Sequence, residues 1–278
     1  MLYILLAVAS SVLVSVLLRL AKRAGVDVGQ AIAGNYITAS ALTWLLLKPV
    51  LPSAVQPASI YVAFIGLGIL LPGIFYALAR SVQTAGIVRS EIAQRLSLLV
   101  SLAAAAMLFG DVPNTIKLAG MALGFVAIVC TIGGRHERGG AASGAWPWLV
   151  FVGFGAIDIL LKLVAQSGQS FAAALLAAFI LSFIVAVAAL VVRRTRFDPR
   201  SIAAGLMLGA ANFANIYFFI RGHQALATQP SLVFSMMNIG VVLLGAFVGI
   251  VVFRERPGPL RLSGLALAVA AIVILALA

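Results

Sequence analysis

Charged side chains occur in pairs inside two strongly apolar segments of the sequence. Glu91 and Arg95 are four residues apart, and Asp158 and Lys162 repeat this spacing in a later segment. In an α-helix, residues four apart share a face, and Gln94 falls on the face of Glu91 and Arg95. Such a face predicts a polar binding site. Arg95 would be a two-pronged donor to a carboxylate or phosphate, and Glu91 or Asp158 would meet an ammonium group or carry a proton.

Each pair also has a simpler interpretation, in which the two charges only neutralise each other. Lys162 is close to the end of its segment, from which its amine would reach the membrane interface. A charge inside a membrane costs roughly 2.5–3.5 kcal/mol on insertion scales, and the residues that bear this cost usually serve a function. We therefore predict that both pairs belong to a binding site. Arg89 lies near the start of its segment, and we expect it to anchor at the interface.

Polar uncharged side chains in two later segments extend the predicted site. Asn212 and Asn215 are three residues apart in one segment, and Ser235 and Asn238 are three apart in the next. Residues at this spacing share a helix face. These side chains either line the site or hydrogen-bond between helices, and the sequence leaves both interpretations open.

The sequence has few residues that could bind a metal ion or a cofactor, or act in catalysis. Cys130 is the one cysteine, and the two histidines, His136 and His223, are far apart. Membrane enzymes usually cluster His, Asp or Glu for acid–base or metal chemistry, whereas most of the seven acidic residues here lie at segment ends. We find no nucleotide-binding motif. We therefore predict no metal, no cofactor and no enzymatic activity, and a process driven by a gradient or by exchange.

The composition indicates a protein embedded in a membrane. Of its 278 residues, 63% are hydrophobic and 9% are charged, whereas soluble domains are about 45–50% apolar and 25% charged. The net charge of +12 comes from short basic tracts between apolar runs, which is typical of the flanks of membrane helices and not of a nucleic-acid-binding surface. Charges, prolines and glycines divide the chain into ten predicted transmembrane helices, at 2–21, 28–47, 58–79, 84–109, 115–133, 146–165, 170–192, 201–220, 226–253 and 260–277.

An internal repeat relates the two halves of the chain. Residues 15–25 align with 158–168 at an offset of 143, and residues 109–129 align with 253–273 at an offset of 144. Two distant blocks that agree on nearly the same offset predict a duplicated unit.

The repeat predicts three regions, a first five-helix repeat at 1–133, a glycine-rich linker at 134–145 and a second repeat at 146–278. Because five is odd, the second repeat would enter the membrane with the opposite orientation. The expected fold is therefore an all-α integral membrane protein with two inverted five-helix repeats around a central cavity, an arrangement that many secondary transporters use.

The stretches YALARSVQTAGIVRSEIAQRLSLLV from Tyr76 and ALATQPSLVFSMMNIGVVLL from Ala225 resemble the drug/metabolite transporter superfamily, and within it the ten-helix EamA-type transporters. In both halves a long fourth helix is followed by an acidic residue, Asp111 or Glu255, and then by a glycine-containing fifth helix. The resemblance covers essentially the whole chain. It implies a basket of ten helices in which the first, third, fourth, sixth, eighth and ninth line the cavity. Similar proteins export amino acids and other metabolites, or carry choline, nucleotide sugars or phosphosugars.

One departure from that family concerns the substrate. The family often has a proline midway along the fourth and ninth helices, where this chain has Glu91 to Arg95 and Ser235 to Asn238. The substrates of typical members therefore do not carry over directly.

Basic residues predict the orientation. The odd-numbered connections carry most of them, including Arg19, Lys22, Arg23, Arg80, Arg135, Arg138, Arg193, Arg194, Arg196, Arg200, Arg254, Arg256 and Arg261. The positive-inside rule then places these connections in the cytoplasm and both termini outside it, in a bacterial inner membrane. Several relatives are thought to have cytoplasmic termini, so the charge count and the resemblance disagree, and we follow the charge count.

These observations together predict a secondary transporter, an exporter or exchanger, of a small polar solute such as an amino acid. The expected partners are that solute, the lipid bilayer and a coupling proton or ion, with no nucleic acid. A flippase for a lipid-linked substrate is the alternative within transport. An integral membrane enzyme and a channel are further alternatives, which lack a catalytic cluster and a filter signature respectively.

Overall fold

The computed structural model describes residues 1–50, 58–109, 114–132, 142–166, 170–226, 228 and 230–277. These residues form helices and no strand, which confirms the prediction of an all-α chain. The helices are α1 Leu2–Arg23, α2 Val28–Leu42, α3 Ala58–Thr84, α4 Ile87–Leu96, α5 Leu98–Phe109, α6 Thr115–Ile132, α7 Ala142–Gln166, α8 Phe171–Val192, α9 Pro199–Ala225, α10 Pro230–Phe247 and α11 Pro259–Leu277. Short π-helical turns, Thr43–Leu47 and Val248–Val252, extend α2 and α10.

Seven helices within the described ranges are long and apolar enough to cross a membrane. They are Leu2–Arg23, Ile60–Thr84, Gly144–Val164, Phe171–Val192, Pro199–Ala225, Leu232–Val252 and Pro259–Leu277. Large apolar side chains are exposed along them, for example Val192 at 82%, as a lipid-facing surface requires. The prediction of a membrane-embedded helical protein is confirmed, and the number of ten spans stays a prediction.

The predicted span 84–109 differs from the structure, which divides it into α4 and α5 with a break at Ser97. The Ser97 hydroxyl donates a hydrogen bond to the Gln94 carbonyl at 2.6 Å, and such local bonds compete with the helical ladder. The break therefore occurs without a proline in this segment. The preceding helix, α3, also runs on to Thr84 with Pro72 inside it. Most of the predicted linker and Asp111 lie outside the described residues.

The helices group into two compact units, and the division into two repeats stays a prediction. Unit 1 comprises Met1–Arg19, Ala77–Gly155 and Ala214–Ala278, and unit 2 comprises Leu20–Tyr76 and Ala156–Phe213. Each unit therefore takes segments from both halves of the sequence.

Glycines let helices approach closely in unit 1. A Cβ atom at Gly120 of α6 would lie 2.8 Å from the Leu275 side chain of α11, and one at Gly264 of α11 would lie 2.4 Å from the Thr131 hydroxyl of α6. Elsewhere in this unit, α1 packs on α10 through a buried apolar cluster of Ile4, Ala7, Val8, Val12, Val233, Met237 and Val241. Membrane helices commonly associate through such small residues and tight packing.

Unit 2 has an equally close contact between α2 and α9. A Cβ atom at Gly205 would lie 2.3 Å from the Ala31 carbonyl oxygen, and one at Gly209 would lie 2.4 Å from the Asn35 carbonyl oxygen. Because both obstacles are backbone atoms, they cannot move aside as a flexible side chain would. On another side of α2, Tyr36 packs against Phe179 of α8 with ring centroids 5.9 Å apart.

Hydrogen bonds join the start of α2 to the loop before α9 in unit 2. Gln30 donates to the Arg196 carbonyl at 2.9 Å and accepts from the Asp198 amide at 2.8 Å. Asp198 in turn caps α9, and the hydrogen bond from the Ser201 hydroxyl holds the pKa of its carboxyl below the usual value, helped by the Arg200 and Ser201 amides. The loop before α2 and the loop before α9 therefore lie on the same side of this unit.

We predict that Gly205→Ala lowers stability by about 1–3 kcal/mol, the usual cost of overpacking, because the new methyl group meets backbone. Gly73→Ala is the matched control, since a Cβ atom there has nothing within 4 Å and the helix-propensity gain is the same. Thermal unfolding of both variants in detergent measures the difference. An unchanged midpoint for Gly205→Ala would show that the α2–α9 contact is looser than described.

Candidate functional site

Helix α4 carries the candidate site, and Glu255, which lies more than 160 positions later in the sequence, caps its first turn. Gly86 precedes α4 with φ of 96° and supplies no side-chain cap. The Glu255 carboxylate instead accepts hydrogen bonds from the Ile87 amide at 2.7 Å and the Val88 amide at 3.3 Å. These amides have no partner within the helix, and a carboxylate also complements the positive end of the helix dipole.

Two glycines make room for the Glu255 carboxylate. A Cβ atom at Gly86 would lie 2.7 Å from it, and one at Gly249, in the π-helical turn after α10, would lie 3.0 Å from it. The Glu255 amide also donates to the Gly249 carbonyl at 2.9 Å. Glu255 is therefore fixed through both its backbone and its carboxylate, and it determines where α4 begins.

Arg89, in the first turn of α4, contradicts its predicted role as an interface anchor. Its side chain is only 4% exposed, and its Nε and Nη2 atoms have no hydrogen-bond partner among the described residues. Arg89 interacts electrostatically with Glu255 and Arg261. The prediction failed because position along a helix does not show which face the other helices cover.

Glu91 is buried at 1% exposure, in the core of unit 1. The Ser15 hydroxyl of α1 donates to Glu91 Oε1 at 2.5 Å. On the opposite side a Cβ atom at Gly245 of α10 would come within 2.9 Å of Glu91 Cγ, so α10 passes closely because it has no side chain there. Glu91 Oε2 makes no hydrogen bond to any residue in the described ranges, which leaves one carboxylate oxygen able to take a proton or a hydrogen-bond donor.

Arg95 completes the same face of α4. Its Nη2 donates to the Ser11 hydroxyl of α1 at 2.6 Å, and its charge acts on Glu91. Ser11 and Ser15 are four residues apart, as are Glu91 and Arg95, so two antiparallel helix faces meet in register. Glu91 and Arg95 therefore share one face of α4, as predicted. The two serines that bind them were not included in the predicted site.

The serines carried a weak signal in the sequence. Ser15 aligns with Asp158 in the predicted internal repeat, so its position matches that of a charged residue in the other half. Ser11 has no such signal, because a lone serine in an apolar helix is common. Gln94 is half-buried beside this face, and its carbonyl accepts the Ser97 hydroxyl.

One of the remaining predicted residues of unit 1 joins two helices, and the other two lie on α10. Asn215 of α9 donates to the Ala7 carbonyl of α1 at 2.9 Å. Asn238 of α10 donates to the Phe234 carbonyl of its own helix at 2.9 Å, and Ser235 is half-buried on that helix. The interhelical bond favours a packing role for Asn215, whereas the bond of Asn238 stays within α10.

The second charged pair belongs to unit 2. Asp158 and Lys162 of α7 are both half-buried, and both have interaction partners. In the same unit Asn212 of α9 donates to the Asn35 side chain of α2 at 3.2 Å. Asn35 is fully buried and was missed from the sequence, because α2 carries no charge that would have drawn attention to it.

No group of three or more His, Cys, Asp or Glu residues in the described ranges could hold a metal ion. His223 lies at the end of α9, with its ring 4.6 Å from that of Phe219, and Cys130 is a half-buried free thiol. The polar groups that meet on α4 and α1 are a carboxylate, a guanidinium and two hydroxyls, which can form hydrogen bonds and ion pairs.

An uncharacterized protein of Haemophilus influenzae is 39% identical to this chain over 280 residues, with 97% of this chain and 95% of that protein covered. The chain belongs to the same family as that protein. No family model matches the chain. A solved crystal structure of another protein superposes on the present chain with a TM-score of 0.61 at 16% sequence identity. The match covers 98% of this chain and 97% of the other, so the two share a fold.

We predict that Glu255→Ala lowers stability by about 1–2 kcal/mol, because the first amides of α4 lose their cap. Glu255→Gln keeps one acceptor oxygen but loses the charge, so its effect should be smaller and of the same sign. Thermal unfolding in detergent gives the order of wild type, Gln and Ala variants. Equal midpoints for wild type and Glu255→Ala would contradict the capping role.

Proposed function

We propose that this protein is a secondary transporter of a small polar solute, with amino acids and related zwitterions as the first candidates. The observation that carries the proposal is the face of α4, where a buried Glu91 and a half-buried Arg95 lie inside an apolar unit and are held by Ser15 and Ser11 of α1. Two opposite charges on neighbouring turns, each with a hydrogen-bonding serine, match the two charges of a zwitterion.

Each group has a separate role in this proposal. Arg95 is half-buried, and its guanidinium would bind the carboxylate or phosphate of the solute as a planar donor. Glu91, whose second oxygen is unpartnered among the described residues, would bind the ammonium group or a coupling proton. Asp158 and Lys162 are proposed as the corresponding charged pair of the second half.

Packing between repeat-equivalent helices supports the proposed inverted repeat. At an offset of 143 or 144, α2 corresponds to α8, α4 to α10 and α6 to α11, and the two members of each pair contact each other. Gly120 packs on Leu275, and their equivalents Gly264 and Thr131 also pack together. Reciprocal contacts of this kind are expected when a two-fold axis relates the halves.

The segments that make up unit 2 are also related by the offset of the proposed repeat. Shifted by 144 residues, segment 20–76 of unit 2 falls on 164–220, and the other segment of that unit is 156–213. A unit built from equivalent parts of both halves suits the ten-helix, two-repeat architecture of the EamA-type transporters that the sequence resembles. That architecture would place a central cavity at the repeat interface.

The proposed orientation has cytoplasmic odd-numbered connections and extracytoplasmic termini in a bacterial inner membrane. The hydrogen bonds from Gln30 to the loop before α9 support it, because they tie the first and seventh connections to one side. Both connections are rich in arginine and lysine, as the positive-inside rule requires of cytoplasmic loops.

In proteoliposomes, we expect Arg95→Ala and Glu91→Gln to lower uptake of the transported solute by about 10- to 100-fold, the effect of losing one charged hydrogen bond. Arg256→Ala is the control, because that arginine is exposed in a loop. Uptake in both α4 variants at the wild-type rate would refute the assignment of the site.

For the orientation, we predict that alkaline phosphatase fused after residue 277 is active and that green fluorescent protein fused there is dark. The same reporters fused after Arg194, in the seventh connection, should give the opposite result. A fluorescent fusion at residue 277 would contradict extracytoplasmic termini.

A further inference from the structure

An apolar cavity of about 230 Å³ lies in unit 2 between α2, α3 and the end of α8. Pro72 and Gly73 of α3, Ile32 of α2 and Ala186 of α8 are among its lining residues, and Tyr76 and Arg193 are the polar ones. It is smaller than the roughly 300–1,000 Å³ of pockets that enclose a drug-sized ligand. Its volume and its largely apolar lining suit part of one hydrocarbon chain.

The cavity opens to the outside of the protein. Ile69 is 56% exposed, and Gly73 and Ala189 are also exposed. Because α3 and α8 are long apolar helices of membrane-spanning length, this opening would face acyl chains. Gly73 leaves space at the opening, since a Cβ atom there would meet nothing within 4 Å.

One end of the cavity meets a cluster of positive charge. Arg193 lines the cavity at the end of α8, and Arg194, Arg196 and Arg200 follow within seven residues, all exposed. The acidic residue among them, Asp198, is engaged by the Ser201 hydroxyl and by two amides. Asp198 also interacts electrostatically with Arg200, and one carboxylate among four arginines leaves the loop with a net positive charge.

The basic loop is fixed in position. Gln30 of α2 uses both ends of its amide to hold it, through the Arg196 carbonyl and the Asp198 amide. Arg194, with φ of 50°, ends α8 in the left-handed conformation, while the Thr195 amide donates to the Leu190 carbonyl. The arginines are thus held at the mouth of the apolar cavity by ordered backbone.

We infer that unit 2 binds one anionic phospholipid, with an acyl chain in this cavity and its phosphate headgroup on Arg193 and the arginines that follow. Basic pockets beside membrane helices are known to favour anionic headgroups over zwitterionic ones, with each arginine or lysine near the surface contributing about fivefold in binding. This lipid site is separate from the α4 face of unit 1 and does not depend on the transport proposal.

The test is native mass spectrometry of the full chain in detergent, incubated with equal amounts of phosphatidylglycerol and phosphatidylcholine that carry the same acyl chains. We expect wild type to retain phosphatidylglycerol preferentially. The double variant Arg193→Gln/Arg196→Gln should lose that preference, by about fivefold for each arginine. Arg254→Gln/Arg256→Gln, which also removes two positive charges but from an exposed loop of unit 1, should keep it.

Variants that fill the cavity with a larger side chain test whether it holds the acyl chain of the lipid. Gly73→Leu should lower the retention of both lipids, and Ala189→Phe serves the same purpose should Gly73→Leu fail to elute as a folded protein from size exclusion. Equal retention of the two lipids by wild type would overturn the inference. So would an unchanged preference in the arginine variant, or unchanged retention in the filled variants.

Discussion

The Glu91 carboxylate lies away from solvent in an apolar unit, and a charge in such a place has to be stabilised by protein groups. Ser15 donates to one of its oxygens, Arg95 balances its charge, and Gly245 lets α10 pack over its side chain. Arg95 needs a partner in turn and finds Ser11 one turn along α1. The register of α1 against α4 therefore follows from four polar side chains, while the apolar cluster between α1 and α10 provides the surrounding packing.

This register also depends on where α4 begins. Glu255 fixes the first turn by capping two amides, and the glycines at 86 and 249 allow its carboxylate to reach them. Ile87 and Glu91 are four positions apart, so the segment that holds Glu255 and the buried charge pair are linked through one turn of helix. A movement of the turn after α10 would act directly on α4, which suits a protein proposed to alternate between two states.

The sequence predicted the parts of this arrangement that depend on composition and periodicity. An all-helical membrane chain and the shared face of Glu91 and Arg95 both follow from local spacing. The capping by Glu255, the partners Ser11 and Ser15, the contact of Asn35 with Asn212 and the burial of Arg89 did not follow. Each depends on contacts between residues at least 76 positions apart or on which helix face is covered, and spacing along one helix does not encode these. The break at Ser97 was missed because serine is compatible with a continuing helix.

The central claim is that the α4 face binds a polar solute, and ligand-dependent thermal stabilisation tests it most directly. The purified protein would be screened with amino acids, amines, phosphosugars and nucleobases, alongside the double variant Glu91→Gln/Arg95→Ala. A ligand at 100 times its dissociation constant stabilises by about 2.7 kcal/mol, which is a readily measured shift. The account predicts that one class of solute, with zwitterions first, raises the midpoint of wild type and leaves that of the double variant unchanged. Equal stabilisation of both proteins would contradict the claim and place the binding site elsewhere.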